Sequence, residues 1–107
     1  MEESELIAFD IISNVGTAKS QYIEALEYAK KQDFNHAQEL ISKGNASLIE
    51  GHKVHSKLIQ RESSGEKTSV TVLLMHAEDQ FMNVETIKFL IIELIEMREK
   101  DQKLGDK

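Results

Sequence analysis

Apolar residues recur every three or four positions through the first third of the chain: Ala8, Ile11, Ile12, Val15, Ala18, Tyr22, Ala25 and Ala29. This spacing lays one stripe along a helix and predicts a helix over about residues 4–31, with Lys19, Glu24, Glu27 and Lys31 largely off the stripe. A second stripe, Ala37, Leu40, Ile41, Gly44, Leu48, Gly51, His52, His55, Leu58 and Ile59, predicts a helix over about residues 34–62. Asp33 is its expected N-cap, because a carboxylate there accepts from the free amides of the first turn. The link Lys31-Gln32-Asp33 is short enough to set the two helices antiparallel. Ser63-Ser64-Gly65-Glu66-Lys67 breaks the pattern: Gly65 tolerates positive φ, and Thr68 or Ser69 is expected to cap the next helix. That third helix is predicted over about residues 70–100, and the polar tail 101–107 is expected to fray. Gly16, Gly44 and Gly51 lie inside helical patterns and are read as points of close helix–helix approach. No alternating run is bounded by turn residues and proline is absent, so the fold class is all-α, in a single domain spanning residues 1–107 without repeats.

The third helix is apolar nearly all round. Val70, Val72, Leu73, Leu74, Met75, Ala77, Phe81, Met82, Val84, Ile87, Phe89, Leu90, Ile91, Ile92, Leu94 and Ile95 cover most directions, and only a strip around Glu78, Glu85, Glu93 and Glu96 is made for water. One helix of a lone three-helix bundle does not bury that much of its circumference. Packing copies together does, so the chain is expected to be a homo-oligomer. The methionines are read as core packing.

Within this helix runs a polar line: His76, Asp79, Gln80 and Asn83, at i, i+3, i+4 and i+7, which share one side. The line continues as Ile87, Leu90 and Leu94, residues that need burial, so the polar segment is expected on or beside a buried seam. Polar groups there are costly unless paired or used. A neutral imidazole is a nucleophile near pH 7, and a phosphoryl group on its ring nitrogen is a labile phosphoramidate, a good donor to a second protein. His76 is therefore the candidate nucleophile. Two other readings stay open: a core histidine satisfied by Asp79 one turn away, and a metal held by His76 and Asp79 with ligands from symmetry copies. His52 and His55 fall on the inner stripe of the second helix and are expected to be buried for structural reasons, with support of His76 from behind as the lesser alternative. His36, in that helix's first turn, is expected on the surface.

Charge and composition narrow the function. The chain has 107 residues with 19 acidic against 13 basic side chains, a formal charge of −6. That balance argues against a nucleic-acid binder, which needs a basic footprint, and suits a partner with a basic docking face. Cysteine is absent, which excludes disulfides, thiolate metal sites and a cysteine nucleophile. The acidic start MEESELIAFD does not read as a signal peptide, and the longest strongly apolar stretch, Phe89 to Ile92, is far too short to span a bilayer. The expected location is the cytoplasm. Ser63 and Ser64 have no His/Asp arrangement around them, and Gly65 lies in no phosphate-loop pattern.

VTVLLMHAEDQFMN resembles the active-site helix of the lactose/cellobiose-type enzyme IIA (EIIA) proteins of the bacterial phosphoenolpyruvate-dependent sugar phosphotransferase system, whose pattern is close to L-L-V-H-A-Q-D-H-L-M. IISNVGTAKSQYIEALEYAKKQDFNHAQELI is similar to the family's first helix, turn and second-helix start, and HKVHSKLIQRESSG to the end of helix 2 and its loop, so the resemblance covers almost the whole chain. It implies an antiparallel three-helix bundle assembling as a homotrimer. It implies that His76 accepts phosphate from the histidine-containing phosphocarrier protein, HPr, and passes it to a cysteine of the IIB component, with transient association with the membrane complex through IIC. The cargo would be a β-linked disaccharide: cellobiose, lactose or diacetylchitobiose. Asp79 falls where three copies gather around a divalent metal on the three-fold axis, which implies Mg²⁺ held by carboxylates and water. The chain departs from the pattern at Glu78, Gln80, Phe81 and Gly51, where glutamine, histidine, leucine and alanine are usual. Gln80 still donates a hydrogen bond to phosphate but cannot be cationic, and Glu78 is expected on the wetter side, where it bears on docking.

Two other functions compete. A histidine phosphotransfer domain of two-component signalling is also helical, but a lysine-glycine pair typically follows its histidine, where this chain has Ala77-Glu78-Asp79. A non-enzymatic trimeric helical scaffold with a structural metal at Asp79 would show no phosphate transfer.

Overall fold

The buried positions of the first helix are Ser4, Ala8, Ile11, Val15, Ala18, Tyr22, Ala25 and Ala29, spaced alternately by four and three. This 3.5-residue repeat keeps one narrow seam facing a partner helix along the whole length. A computed structural model describes residues 3–105 and builds three helices on such seams: α1 Glu3–Lys30, α2 Phe34–Ser63 and α3 Val72–Gly105. The α2 seam is Ala37, Leu40, Ile41, Gly44, Leu48, Gly51 and Leu58, and the α3 seam is Leu74, Ala77, Phe81, Val84, Ile91 and Ile95. The result is an antiparallel three-helix rod, 61 × 24 × 20 Å.

α1 is the central helix. It packs extensively on both others, whereas α2 and α3 scarcely meet and leave a groove between them. The alanines of the α1 seam explain part of this, since small side chains let two neighbours approach one stripe. Two glycines of α2 extend the close packing. A Cβ at Gly44 would stand 2.6 Å from Tyr22 Cε1, and one at Gly51 would stand 3.1 Å from Val15 Cγ2. Gly16 faces open space, so the expectation of close approach fails there. Tyr22 is fully buried, donates its hydroxyl to Asn45 Oδ1 at 2.7 Å, and has its pKa pushed up to about 12 by burial.

The connections follow local chemistry. Asp33 caps α2, accepting from the His36 N–H at 3.2 Å, and its second oxygen lies 2.6 Å from His36 Nδ1; both contacts hold its carboxyl below the usual range. His36 is at the surface, as expected. α2 ends in a Schellman motif: Gly65 sits at φ +91°, its N–H donates to Glu62, and the Glu66 N–H donates to Arg61. The cap of α3 differs from expectation. Thr71, rather than Thr68 or Ser69, accepts from the Leu74 N–H at 3.0 Å, so the helix begins at Val72 and Val70 lies in the loop. The tail also differs: α3 continues through Gly105 instead of fraying at 101, because no breaker interrupts the sequence there; Arg98, Asp101 and Gln102 border a cleft with Ala29, Gln32 and Phe34 at the end of the bundle. Residues 106–107 of that tail, and the first two residues, lie outside the described range.

Two burial expectations are corrected. His52 is exposed and His55 only half-buried, and Ile59 is also exposed, because the second-helix stripe turns into the open groove rather than into the core. Met75, Met82 and Met97 are not core residues: each is about 60% exposed, on the side of α3 turned away from α1.

Candidate functional site

At 100° per residue, α3 carries a second row about opposite its core seam. Val72, Met75, Met82, Leu90, Leu94 and Met97 form the apolar part of this row, all exposed in the single subunit. His76, Asp79 and Asn83 lie in the same row and are exposed, with Gln80 half-buried beside them. The four residues of the polar line are thus on one side, as their spacing requires. Of the residues that continue it, Leu90 and Leu94 are exposed, whereas Ile87 turns inward and packs against the subunit's own core. The seam expected beside the polar segment is therefore not inside the subunit; it is an uncovered apolar face.

Among the described residues, His76 and Asp79 make no hydrogen bond or ion pair, to each other or to any other side chain. A core histidine satisfied by Asp79 is therefore not what the subunit contains. The ring is held only by its helix and is open to an approaching reactant. Asp79 presents a free carboxylate 300° further round the helix, that is, one turn on and nearly in line. The described residues contain no group of three or more His, Cys, Asp or Glu side chains able to hold a metal within one chain. A cation at Asp79 thus needs carboxylates from other copies; an outward-facing, unpaired carboxylate in a row of exposed apolar residues suits that donor set and a hard cation such as Mg²⁺.

Glu78 is placed differently from expectation. It points about 200° away from His76, into the groove between α2 and α3, and is half-buried there rather than on the wet side. Its Oε2 lies 2.6 Å from His55 Nδ1, a contact too poorly aligned to count as a hydrogen bond and an ion pair when the imidazole is protonated. The His55 ring stacks on Phe81 with centroids 5.0 Å apart and planes 14° apart, and His52 covers the same ring at 5.9 Å. Below this cluster the groove opens into a cleft of about 410 Å³ between Leu58 and Ile59 of α2 and Leu74 and Met75 of α3. The pattern of the second helix contained a hint of this pair: a histidine on the seam side of an otherwise apolar stripe requires a partner, and an acidic residue on the apolar helix is the natural one.

Residues 6–99 match the family described as "PTS system, Lactose/Cellobiose specific IIA subunit". The chain is 39% identical to the lichenan-specific phosphotransferase enzyme IIA component of Bacillus subtilis (strain 168), over 92% of this chain and 90% of that protein. Its fold superposes with a TM-score of 0.94 on the crystal structure of the cellobiose-specific enzyme IIA from Bacillus anthracis, at 40% identity, covering 96% of this chain and 94% of that one. It is also similar to a chain from the solution structures of the IIA(chitobiose)–HPr complex of the Escherichia coli N,N′-diacetylchitobiose branch, with a TM-score of 0.81 and 35% identity over 95% of this chain and 99% of that one.

Proposed function

The chain belongs to the lactose/cellobiose-specific IIA subunits of the phosphotransferase system, and on that premise we propose that it carries a phosphoryl group on His76 between HPr and a IIB component. The observation that carries this reading is the placement of His76: an unpaired, exposed imidazole on α3, at the histidine of the family-like stretch VTVLLMHAEDQFMN. In the first step a ring nitrogen of His76 attacks phosphorus, the N–P bond on HPr breaks, and its electron pair returns to the HPr imidazole. In the second step the His76 N–P bond breaks and an S–P bond forms on the IIB cysteine thiolate. Neither step needs a general base from this chain, because the neutral imidazole is itself the nucleophile and the leaving group. In this reading Gln80, half-buried and one helical turn from His76, donates a hydrogen bond to the phosphoryl oxygens.

The working unit in this reading is a homotrimer. An exposed apolar row running from Val72 to Met97 is large for a monomer's surface, and copies of α3 packed along that row cover it. Asp79 then meets its symmetry copies, and Mg²⁺ offsets the gathered charge. The cargo is a β-linked disaccharide such as cellobiose, lactose or diacetylchitobiose. No described helix is long and apolar enough to cross a membrane. In this reading the chain works in the cytoplasm and reaches the membrane component IIC through IIB. Phosphoenolpyruvate, enzyme I and HPr should label the protein with an acid-labile, alkali-stable phosphate, and His76→Ala should abolish the label. A scaffold with no chemistry would take no label, and a normally labelled mutant would assign the site elsewhere.

A further inference from the structure

The groove between α2 and α3 poses a mechanical problem. α1 supports the core side of α3, but α2 and α3 meet sparsely, and beyond the rings stacked on Phe81 a cleft of about 410 Å³ opens between them. Two full turns of α3, Val72 to Asp79, come after an irregular loop and include His76. Among the described residues, one polar contact bridges the gap from α2 to this segment: His55 Nδ1 to Glu78 Oε2 at 2.6 Å. Both side chains are about three-quarters buried, so when the imidazole is protonated the pair is less screened than one at the surface. The stacking of His55 on Phe81, one turn further along α3, fixes the imidazole and gives its positive form the face of an aromatic ring. Among the described residues, neither His55 Nδ1 nor Glu78 Oε1 has a hydrogen-bond partner.

We infer that Glu78 is a positioning residue for phosphoryl transfer: its contact with His55, an ion pair when the imidazole is protonated, clasps the His76-bearing turns of α3 to α2. This rests on the reading of His76 as the phosphorylated residue. Glu78 faces away from His76 and into the groove, so it acts through the helix and not by touching the phosphoryl group. An α-helix is stiff over two turns, and holding one side at Glu78 limits the tilt and fraying that would move the imidazole two residues earlier.

The test uses full-length protein carrying Glu78→Gln, His55→Gln, both together, or the exchange His55→Glu with Glu78→His. Amide hydrogen exchange on the unphosphorylated protein should quicken at Met75–Asp79 by roughly three- to tenfold in each single variant, with residues 91–95 unchanged. The double Gln variant should be no faster than the singles, and the exchanged pair should return towards wild type. In transfer from phosphorylated HPr, the single variants should lose kcat by a similar factor while KM for HPr holds. Wild-type exchange in the single variants, or effects that simply add in the double, would overturn the clasp. A raised KM with unchanged kcat would place Glu78 in the docking surface instead. Wild-type protein that takes no phosphoryl group at all would overturn the His76 reading alone, since exchange is measured without phosphate.

Discussion

Gly44→Ala is the sharpest test of how α1 and α2 fit. The added Cβ would stand 2.6, 2.9 and 3.0 Å from Cε1, Cδ1 and Cζ of Tyr22, so the ring must move. Tyr22 is fully buried and its hydroxyl is tied to Asn45 Oδ1, so movement disturbs both packing and a hydrogen bond. Overpacking of this kind costs about 1–3 kcal/mol, and loss of the hydrogen bond adds about 1 kcal/mol. Against this, alanine is the better helix former by about 1 kcal/mol. The net destabilisation is about 1–3 kcal/mol, and at about 4–8 °C per kcal/mol for a domain of this size Tm should fall by roughly 5–20 °C. Melting followed by circular dichroism at one fixed protein concentration measures it, since assembly makes Tm concentration-dependent. Gly16→Ala is the control: its Cβ meets nothing within 4 Å, so only the helix-propensity gain of about 1 kcal/mol remains and Tm should rise. In a Tyr22→Leu background Gly44→Ala should lose most of its penalty. A Gly44→Ala protein that melts at or above wild type would refute the packing argument.

The same structure makes three further outcomes testable. Leu90, about half exposed in the subunit, should be buried on assembly; Leu90→Asp should therefore split the oligomer, because burying an unpaired charge costs several kcal/mol or more, and light scattering at micromolar concentration that finds wild-type mass would count against the interface. Mg²⁺ should raise the wild-type Tm near neutral pH, by about 2.7 kcal/mol of stability at a hundredfold excess over Kd, whereas Asp79→Leu should assemble and ignore both Mg²⁺ and chelator; an equal response of the two proteins would move the ion elsewhere. Tyr22 has a raised pKa of about 12, so the neutral phenol is the form the fold favours: its contribution is complete below the unfolded value near 10 and is lost as pH rises from there through about 12. Ultraviolet titration should show one of the two tyrosines ionising late, and a phenol at Tyr22 that ionises near 10 would contradict its burial.

The features legible in the sequence were local or strictly periodic. The α1 stripe needed only the three–four spacing of Ala8 to Ala29, and the ends of α2 needed only Asp33 and Gly65, because caps and turns are decided by a few neighbouring residues. The polar line of His76, Asp79, Gln80 and Asn83 was likewise visible, since helical geometry alone puts those positions on one side. The facing of α3 was not visible. A helix apolar in nearly every direction has no periodic signal to say which side meets α1, so only packing could turn Ile87 inward and leave Leu90 and the methionines outside. The fates of His52, His55 and Glu78 were hidden for a related reason. Whether a residue near the end of a stripe is buried depends on how closely the next helix approaches, and the sparse meeting of α2 with α3 is a relation between segments far apart in the chain. It opened a groove where the stripe predicted core, and in that groove the acidic departure at Glu78 found its histidine.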